Sequence, residues 1–239
     1  MSKLYNLGCS FAYGNCTPKR NQLCDEHKGP GTMIAQYMNR EEVNLARNGN
    51  SIDGVLRRLY TYNFEKDGIV LIGVPPSGRF QVINDSEQIY NKERGYKSSL
   101  FGKTTESQKC IKYAYTKGPG TRGDFFHTLK WAEVSNDNIN ETSSYHVLFN
   151  ILLIQKRLQE LGLEYYIYNS IGYRDDPKNK ETNIIRNQID WTNYYKPETS
   201  MFDMVKSNVD YELAEGDQHP NHYAYRVWSE GFIDWLENK

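Results

Sequence analysis

The sequence lacks long hydrophobic runs, an excess of charge of either sign and the pattern of a signal peptide. None of its apolar stretches approaches the roughly 18 residues that a transmembrane helix needs. The N-terminal Met1-Ser2-Lys3-Leu4 enters a predicted strand without the apolar core of a secretory signal. The 29 Lys and Arg residues balance 30 Asp and Glu residues, for a formal net charge of -1. We therefore expect a soluble, cytoplasmic protein with no membrane partner and no nucleic-acid partner.

Cysteine pairs with metal-binding or redox spacing are also missing. The four cysteines are Cys9, Cys16, Cys24 and Cys110, and none of them forms a Cys-x-x-Cys pattern with another. We interpret them as free thiols in a reducing compartment. No metal and no cofactor is expected.

What the chain does contain is an alternation of strand and helix patterns. Strands are predicted at Lys3–Leu7, Glu42–Asn44, Gly68–Val74 and Glu164–Tyr168. Helices are predicted from Thr32, as an N-cap, from Ser51, over His146–Leu161 and over Tyr223–Glu237. The run Gly68–Val74 is apolar throughout, which is typical of a strand buried on both faces of a parallel sheet. This order predicts an α/β fold with a mostly parallel central sheet.

Two long stretches carry no clear periodicity, at about 81–140 and 172–208. Structureless loops of this length are uncommon inside a compact domain. We interpret the chain as one domain over 1–239 with long loop insertions at these two places. They are expected at the edge where the active site opens, either as a lid or substrate-selecting cap or as packing excursions without a functional role.

Polar motifs follow the predicted strands. The first strand ends in Asn6-Leu7-Gly8-Cys9-Ser10, which places Ser10 where open α/β sheets bind their ligands. Ser10 is therefore a candidate nucleophile, with Cys9 as the alternative. The second strand leads into Asn44–Ser51, which contains Gly49, and Asp217-Gln218-His219-Pro220-Asn221 lies near the C-terminus.

These blocks together resemble the SGNH (GDSL-like) hydrolases, over roughly 3–80 and 145–237. The first and last blocks are similar to versions associated with tailed-phage genomes. The resemblance implies a three-layer, flavodoxin-like α/β/α fold, a serine esterase activity and, if the chain is phage-encoded, a place in the host cytoplasm or the virion.

The resemblance implies a Ser-His-Asp triad. His219 is the expected base and Asp217 the group that orients it. The spacing Asp-x-His departs from the commoner Asp-x-x-His of the family, and Gly216 offers the freedom for a tight turn there. Glu215 or Asp210 is an alternative orienting acid, and a Ser-His dyad is a further alternative. The histidines His27, His127, His146 and His222 lack such a setting and are expected at the surface or in packing.

The resemblance also implies an oxyanion hole made by the backbone N–H groups of Ser10 and Gly49. The family's third donor, an asparagine side chain, does not carry over, because Pro75 stands in its place. Three residues are candidates to replace that donor or to bind substrate: Asn48, Ser77 and Arg79.

The predicted function is hydrolysis of a small acyl ester, with acetyl as one candidate, on a carbohydrate or similar small soluble substrate. Two alternatives remain open at this point. The same residues could transfer the acyl group to another acceptor. The chain could also be a non-catalytic phage structural or host-interaction protein that keeps the fold, which the missing asparagine favours.

Overall fold

The structure of the chain is a computed structural model. It describes residues 1–15, 29–76, 79–83, 111–115, 139–172, 180–214 and 216–239.

The described residues alternate between strands and helices, as the sequence pattern predicts. The strands are β1 (Lys3–Leu7), β2 (Glu41–Asn44), β3 (Ile69–Val74), β4 (Arg79–Ile83), β5 (Ile111–Tyr115), β6 (Glu164–Asn169), β7 (Tyr194–Tyr195), β8 (Glu212–Ala214) and β9 (Asp217–Pro220). The helices are α1 (Ser10–Tyr13), α2 (Pro30–Tyr37), α3 (Ile52–Thr61), α4 (Ile139–Leu161), α5 (Lys180–Arg186), α6 (Met201–Lys206) and α7 (His222–Glu237). A 3-10 turn at Val209–Tyr211 precedes β8.

The central sheet has five strands in the order β2-β1-β3-β6-β7, and every neighbouring pair is parallel. The chain moves to one side from β1 to β2 and then to the other side through β3, so the direction reverses between β1 and β3. In doubly wound sheets the crevice at the carboxyl ends of two such strands is the usual ligand site. The topology therefore directs attention to the residues that follow β1 and β3.

Helices cover both faces of this sheet. One apolar cluster lies between the sheet and α3, α4 and α5, and it contains Leu7, Val55 and Ile151. The opposite cluster lies beneath α1, α2, α6 and α7 and includes the aromatic side chains Tyr225, Trp228 and Phe232 of the last helix. These aromatic side chains are core packing, because Tyr225 and Phe232 are fully buried. The fold is a three-layer α/β/α arrangement, as predicted.

Two of the predicted helix starts need correction. Thr32 is not an N-cap: α2 begins at Pro30 after the N-cap Gly29, since proline suits the first position of a helix. The Thr32 hydroxyl instead donates a hydrogen bond to Glu42 Oε2 at 2.6 Å. Helix α4 begins at Ile139, well before the predicted His146. The predicted start of α3 is confirmed, because the Ser51 side chain caps it by accepting from the Gly54 N–H.

The stretch 172–208, predicted as a loop insertion, contains regular structure. It supplies α5, the edge strand β7 and α6. Strand β7 has two residues, Tyr194 and Tyr195, which pair with Ile167 and Tyr168 of β6. A strand this short leaves too few residues for a recognisable period. This part of the chain therefore completes the central sheet.

The other predicted insertion, 81–140, contributes an antiparallel ribbon in which β4 pairs with β5, from Arg79 opposite Tyr115 to Ile83 opposite Ile111. The start of α4 also falls in it, and the rest of the predicted lid or cap lies outside the described residues. In the described part of the chain, no helix combines the length and the apolar character that crossing a bilayer requires.

The close approach of β1 and β3 at their carboxyl ends yields a stability prediction. Gly8 has φ 150°, and a Cβ there would lie 2.5 Å from the Gly73 carbonyl oxygen and 2.6 Å from Ala12 Cβ. We expect Gly8→Ala to lower the free energy of unfolding by about 1–3 kcal/mol, measured by urea unfolding.

Gly172→Ala is the matched control for Gly8→Ala. Its added Cβ would find its nearest neighbour at 3.5 Å, an ordinary contact. The control should stay within about 0.5 kcal/mol of the wild-type value. Equal stability of the two variants would contradict the claim that β1 and β3 leave no room for a side chain at position 8.

Candidate active site

Ser10 opens helix α1 directly after the turn Gly8-Cys9 that leaves β1. The helix is a single turn of four residues, and Gly14 ends it in the left-handed conformation. Ser10 is 5% exposed. Strand β1 and its turn therefore place the Ser10 side chain at the carboxyl edge of the sheet, beside the point where the strand order reverses.

The structure brings together three side chains that the sequence singled out. His219 Nε2 lies 2.8 Å from Ser10 Oγ. On the other side of the ring, His219 Nδ1 lies 2.7 Å from Asp217 Oδ1. The side chains of His219 and Asp217 are 27% and 20% exposed, so the chain of contacts is sheltered but open to solvent on one side. Hydrogen bonds in this order would let an imidazole move a proton to and from a serine hydroxyl.

The unusual Asp-x-His spacing has a simple structural cause. Asp217 and His219 both lie in strand β9, where residues two apart point to the same face. Strand β9 pairs antiparallel with β8, and Gly216 precedes it with φ 75°. The spacing therefore suits a strand, and the two side chains meet without a tight loop between them.

The alternative nucleophile and the alternative orienting acids occupy other positions. Cys9, the alternative nucleophile, is fully buried, and His219 contacts Ser10 instead. Asp210 is an exposed residue of the 3-10 turn, where its carbonyl oxygen accepts from the Asn221 side chain. Glu215 lies outside the described residues.

Phe11 is a site residue that the sequence reasoning did not identify. Its ring centroid lies 5.0 Å from that of His219, with the planes tilted by 33°. Phe11 also meets Phe202 of α6 edge to face, at 6.3 Å. Phe11 is almost completely buried, and its ring packs against the imidazole. Its position in the sequence, immediately after Ser10, is the feature that could have identified it as a site residue.

The Asn44–Ser51 segment packs against the turn that carries Ser10, through hydrogen bonds to Gly8. The Gly8 carbonyl oxygen accepts from the Arg47 N–H at 3.1 Å and from Asn50 Nδ2 at 3.0 Å. Asn50 is buried, and Gly49 beside it has φ 72°, a conformation that favours glycine. These bonds hold the Gly49 loop next to the turn that carries Ser10. Asn50 is a second residue that sequence reasoning missed.

The candidate oxyanion donors differ in whether a free donor group is available at their positions. Ser10 occupies the first position of α1, where a backbone N–H has no acceptor within the helix. Pro75 follows β3 directly and has neither an amide side chain nor an N–H. Of the suggested substitutes, Asn48 is exposed, Arg79 opens β4, and Ser77 lies outside the described residues.

Beneath the Ser10 turn lies a second polar network. Asn6 Nδ2 donates to the Ala12 carbonyl oxygen at 2.7 Å and to Glu42 Oε1 at 3.0 Å. Burial raises the pKa of the Glu42 carboxyl above its ordinary value, and hydrogen bonds from Thr32 and Asn6 partly oppose that rise. A partly buried carboxylate is thus linked through one amide to the helix of the candidate nucleophile.

His146, expected at the surface or in packing, also contacts an acid. Its Nε2 lies 3.0 Å from Asp53 Oδ1, between α4 and α3. Asn150 Nδ2 also lies close to the His146 ring, at 3.4 Å from Nε2 and 3.5 Å from Nδ1. Among the described residues, no group of three or more His, Cys, Asp or Glu side chains could hold a metal ion.

Two solved structures share the overall fold at low sequence identity. The lipase Lip_vut3 from a goat rumen metagenome matches with a TM-score of 0.51 and 12% identity, over 98% of this chain and 97% of its own. A protein described as a GDSL-like lipase, from Parabacteroides merdae, matches with a TM-score of 0.50 and 11% identity, over 100% and 96%. The chain has an SGNH (GDSL-like) hydrolase fold. No protein-family model and no curated protein matches it.

The burial of Glu42 predicts a pH dependence of stability. Its folded pKa is raised above the ordinary 4.5, so the stability it contributes is fully present below pH 4.5 and is lost as the pH rises through the folded value. We expect the fall in the free energy of unfolding from about pH 4 to pH 7 to be smaller in Glu42→Gln than in the wild type, because an amide does not titrate.

Urea unfolding at a series of pH values measures this difference. Glu41→Gln is the matched control, since Glu41 is the exposed neighbour of Glu42 on the same strand. If Glu42→Gln and Glu41→Gln follow the same pH course, Glu42 does not ionise with a raised pKa.

Proposed function

We propose that this chain is a serine esterase that uses Ser10, His219 and Asp217. The observation that carries the proposal is the continuous set of contacts Ser10 Oγ–His219 Nε2 and His219 Nδ1–Asp217 Oδ1, at 2.8 and 2.7 Å. It lies at the carboxyl edge of a parallel sheet, at the point where the strand order reverses. Nucleophile, base and orienting acid occupy the order that acyl transfer requires.

In the proposed first half-reaction, Ser10 Oγ attacks the carbonyl carbon of the ester while His219 Nε2 accepts the hydroxyl proton. Asp217 accepts a hydrogen bond from His219 Nδ1–H and stabilises the imidazolium. The carbonyl oxygen becomes an oxyanion, for which the N–H groups of Ser10 and Gly49 are the proposed donors. Collapse of the intermediate breaks the bond to the alcohol, which leaves with the proton from His219.

The second half-reaction repeats these steps with water. His219 takes a proton from the water as its oxygen attacks the acyl-serine, and returns that proton to Ser10 Oγ when the carboxylic acid leaves. The buried Phe11 ring limits the directions in which the His219 imidazole can swing between the two steps. The proposed mechanism uses no group beyond the side chains, the backbone and water.

The proposed substrate is a small acyl ester, such as an acetyl group, on a carbohydrate. The Phe11 ring supports the small acyl group, because it fills space beside His219. Pro75 predicts a modest rate: an absent oxyanion donor typically costs about 2.7–4 kcal/mol in the barrier, unless Ser77 or Arg79 replaces it.

Labelling with a fluorophosphonate tests the nucleophile. We expect one adduct on Ser10 in the wild type, located by peptide mapping, because His219 activates the hydroxyl. His219→Ala should lower the labelling rate by a factor of about 10³ or more, since the triad acts as a unit.

His146→Ala is the matched control for His219→Ala, because it removes a histidine that also contacts an aspartate. It should label at the wild-type rate. A folded wild type that takes no label on Ser10 would contradict the esterase proposal and favour the non-catalytic alternative.

Replacing the orienting acid tests Asp217. We expect Asp217→Asn to lower kcat for an acetyl ester by about 10²–10⁴, because the amide cannot stabilise the imidazolium. Asp210→Asn replaces the other candidate acid, which is exposed, and should keep the wild-type kcat. A loss of kcat in Asp210→Asn with none in Asp217→Asn would reverse the assignment.

A further inference from the structure

Helix α1 is too short to hold itself in place. It has four residues, and a single helical turn is unstable by itself because nucleation fixes several dihedral angles for very few hydrogen bonds. The position of Ser10 therefore depends on bonds from outside the helix. Two of these reach the last carbonyl groups of the helix: Asn6 Nδ2 to Ala12 O at 2.7 Å, and Asn44 Nδ2 to Tyr13 O at 3.2 Å.

The Asn6 amide is held by Glu42. Its nitrogen carries two hydrogens, and both are used, one on the Ala12 carbonyl and one on Glu42 Oε1. The other carboxylate oxygen of Glu42 accepts from the Thr32 hydroxyl at 2.6 Å. Glu42 is fixed at both oxygens, so it offers Asn6 an acceptor at a defined position.

Packing and polarity both restrict this arrangement. A Cβ on Gly31 would overlap Asn6 Nδ2 and Glu42 Oε1, which shows how closely α2 covers the pair. Asn6 Oδ1 is buried without a hydrogen-bond partner, at a cost in free energy. If the amide turned over, that oxygen would face two acceptors, Ala12 O and Glu42 Oε1. The Glu42 carboxylate therefore favours the one orientation that supports the helix.

We propose that Glu42 is a positioning residue for Ser10, acting through Asn6. The inference rests on the proposed function, in which Ser10 is the nucleophile. Glu42 does not touch the reacting atoms: it orients Asn6, Asn6 holds the carbonyl of Ala12, and Ala12 lies two residues after Ser10 in the same short helix. A shift of Ser10 Oγ relative to His219 lowers the rate of attack without changing how the substrate binds.

The test compares Glu42→Met and Glu42→Gln. Methionine keeps the volume but removes the acceptor, and it should lower both kcat for an acetyl ester and the rate of fluorophosphonate labelling by about 10- to 100-fold. KM should stay within about twofold. Glutamine can still accept from Asn6 through Oε1 and donate to Thr32 through Nε2, so it should restore most of the rate. Glu41→Gln, from the exposed neighbouring position, is the matched control.

A double-mutant cycle tests the route through Asn6. We expect Asn6→Ala to lose about as much labelling rate as Glu42→Met, and the double variant to lose no more than either, because they act on the same contact. Additive losses would contradict action through Asn6. Glu42→Ala serves as a second variant beside Glu42→Met, with circular dichroism as the check on folding.

The outcomes separate the two proposals. A folded wild type that neither labels nor hydrolyses esters would overturn both. A wild type that labels on Ser10, with folded Glu42→Met labelling equally fast, would overturn only the positioning role. If Glu42→Met and Glu42→Ala both fail to fold while Glu42→Gln folds, Glu42 serves stability alone, which also overturns the positioning role.

Discussion

The hydrogen bond between Ser10 Oγ and His219 Nε2 joins residues 209 positions apart in the chain. It forms only when β1 lies inside the sheet and β9 folds back over the carboxyl edge from the C-terminal side. Helices on one face of the sheet hold the two partners, because α6 and α7 contact β9 and α2 contacts α1. The site is thus a product of the complete fold, and its geometry reports whether both ends of the chain have docked.

Buried and partly buried polar groups lie close to this contact. Gly8 O accepts hydrogen bonds from the Arg47 N–H and Asn50 Nδ2, and Asn6 Nδ2 donates to Ala12 O and Glu42 Oε1. Partial burial of the Glu42 carboxylate and burial of Asn6 Oδ1 without a partner both oppose folding. Burial of the apolar clusters on the two faces of the sheet offsets this unfavourable free energy. The polar groups near Ser10 can therefore orient their neighbours without having to stabilise the fold.

The sequence predicted the elements with strong local patterns and missed those decided by tertiary contact. Apolar β3 and the Ser51 cap follow from pattern and propensity. The two-residue β7 gave no period, because it is a strand only through its pairing with β6. The motif resemblance identified Ser10, Asp217 and His219 from the sequence. It did not identify Phe11, Asn50 and Glu42, because their packing and their hydrogen-bond partners are visible only in the folded chain. Thr32 was predicted as a helix N-cap, but its hydroxyl donates a hydrogen bond to the Glu42 carboxylate.

Pro75 and the Asp-x-His spacing both depart from the pattern of the SGNH hydrolases that the sequence resembles, and their physical consequences differ. The spacing is compensated, because strand β9 places Asp217 and His219 on one face. The proline is not compensated by an amide at the same position, since its ring supplies no donor. Losing one oxyanion donor raises the barrier to nucleophilic attack by about 2.7–4 kcal/mol but leaves the contacts among Ser10, His219 and Asp217 in place. The contacts of Ser10, His219 and Asp217 therefore support the proposed esterase activity, and Pro75 predicts that its rate is modest.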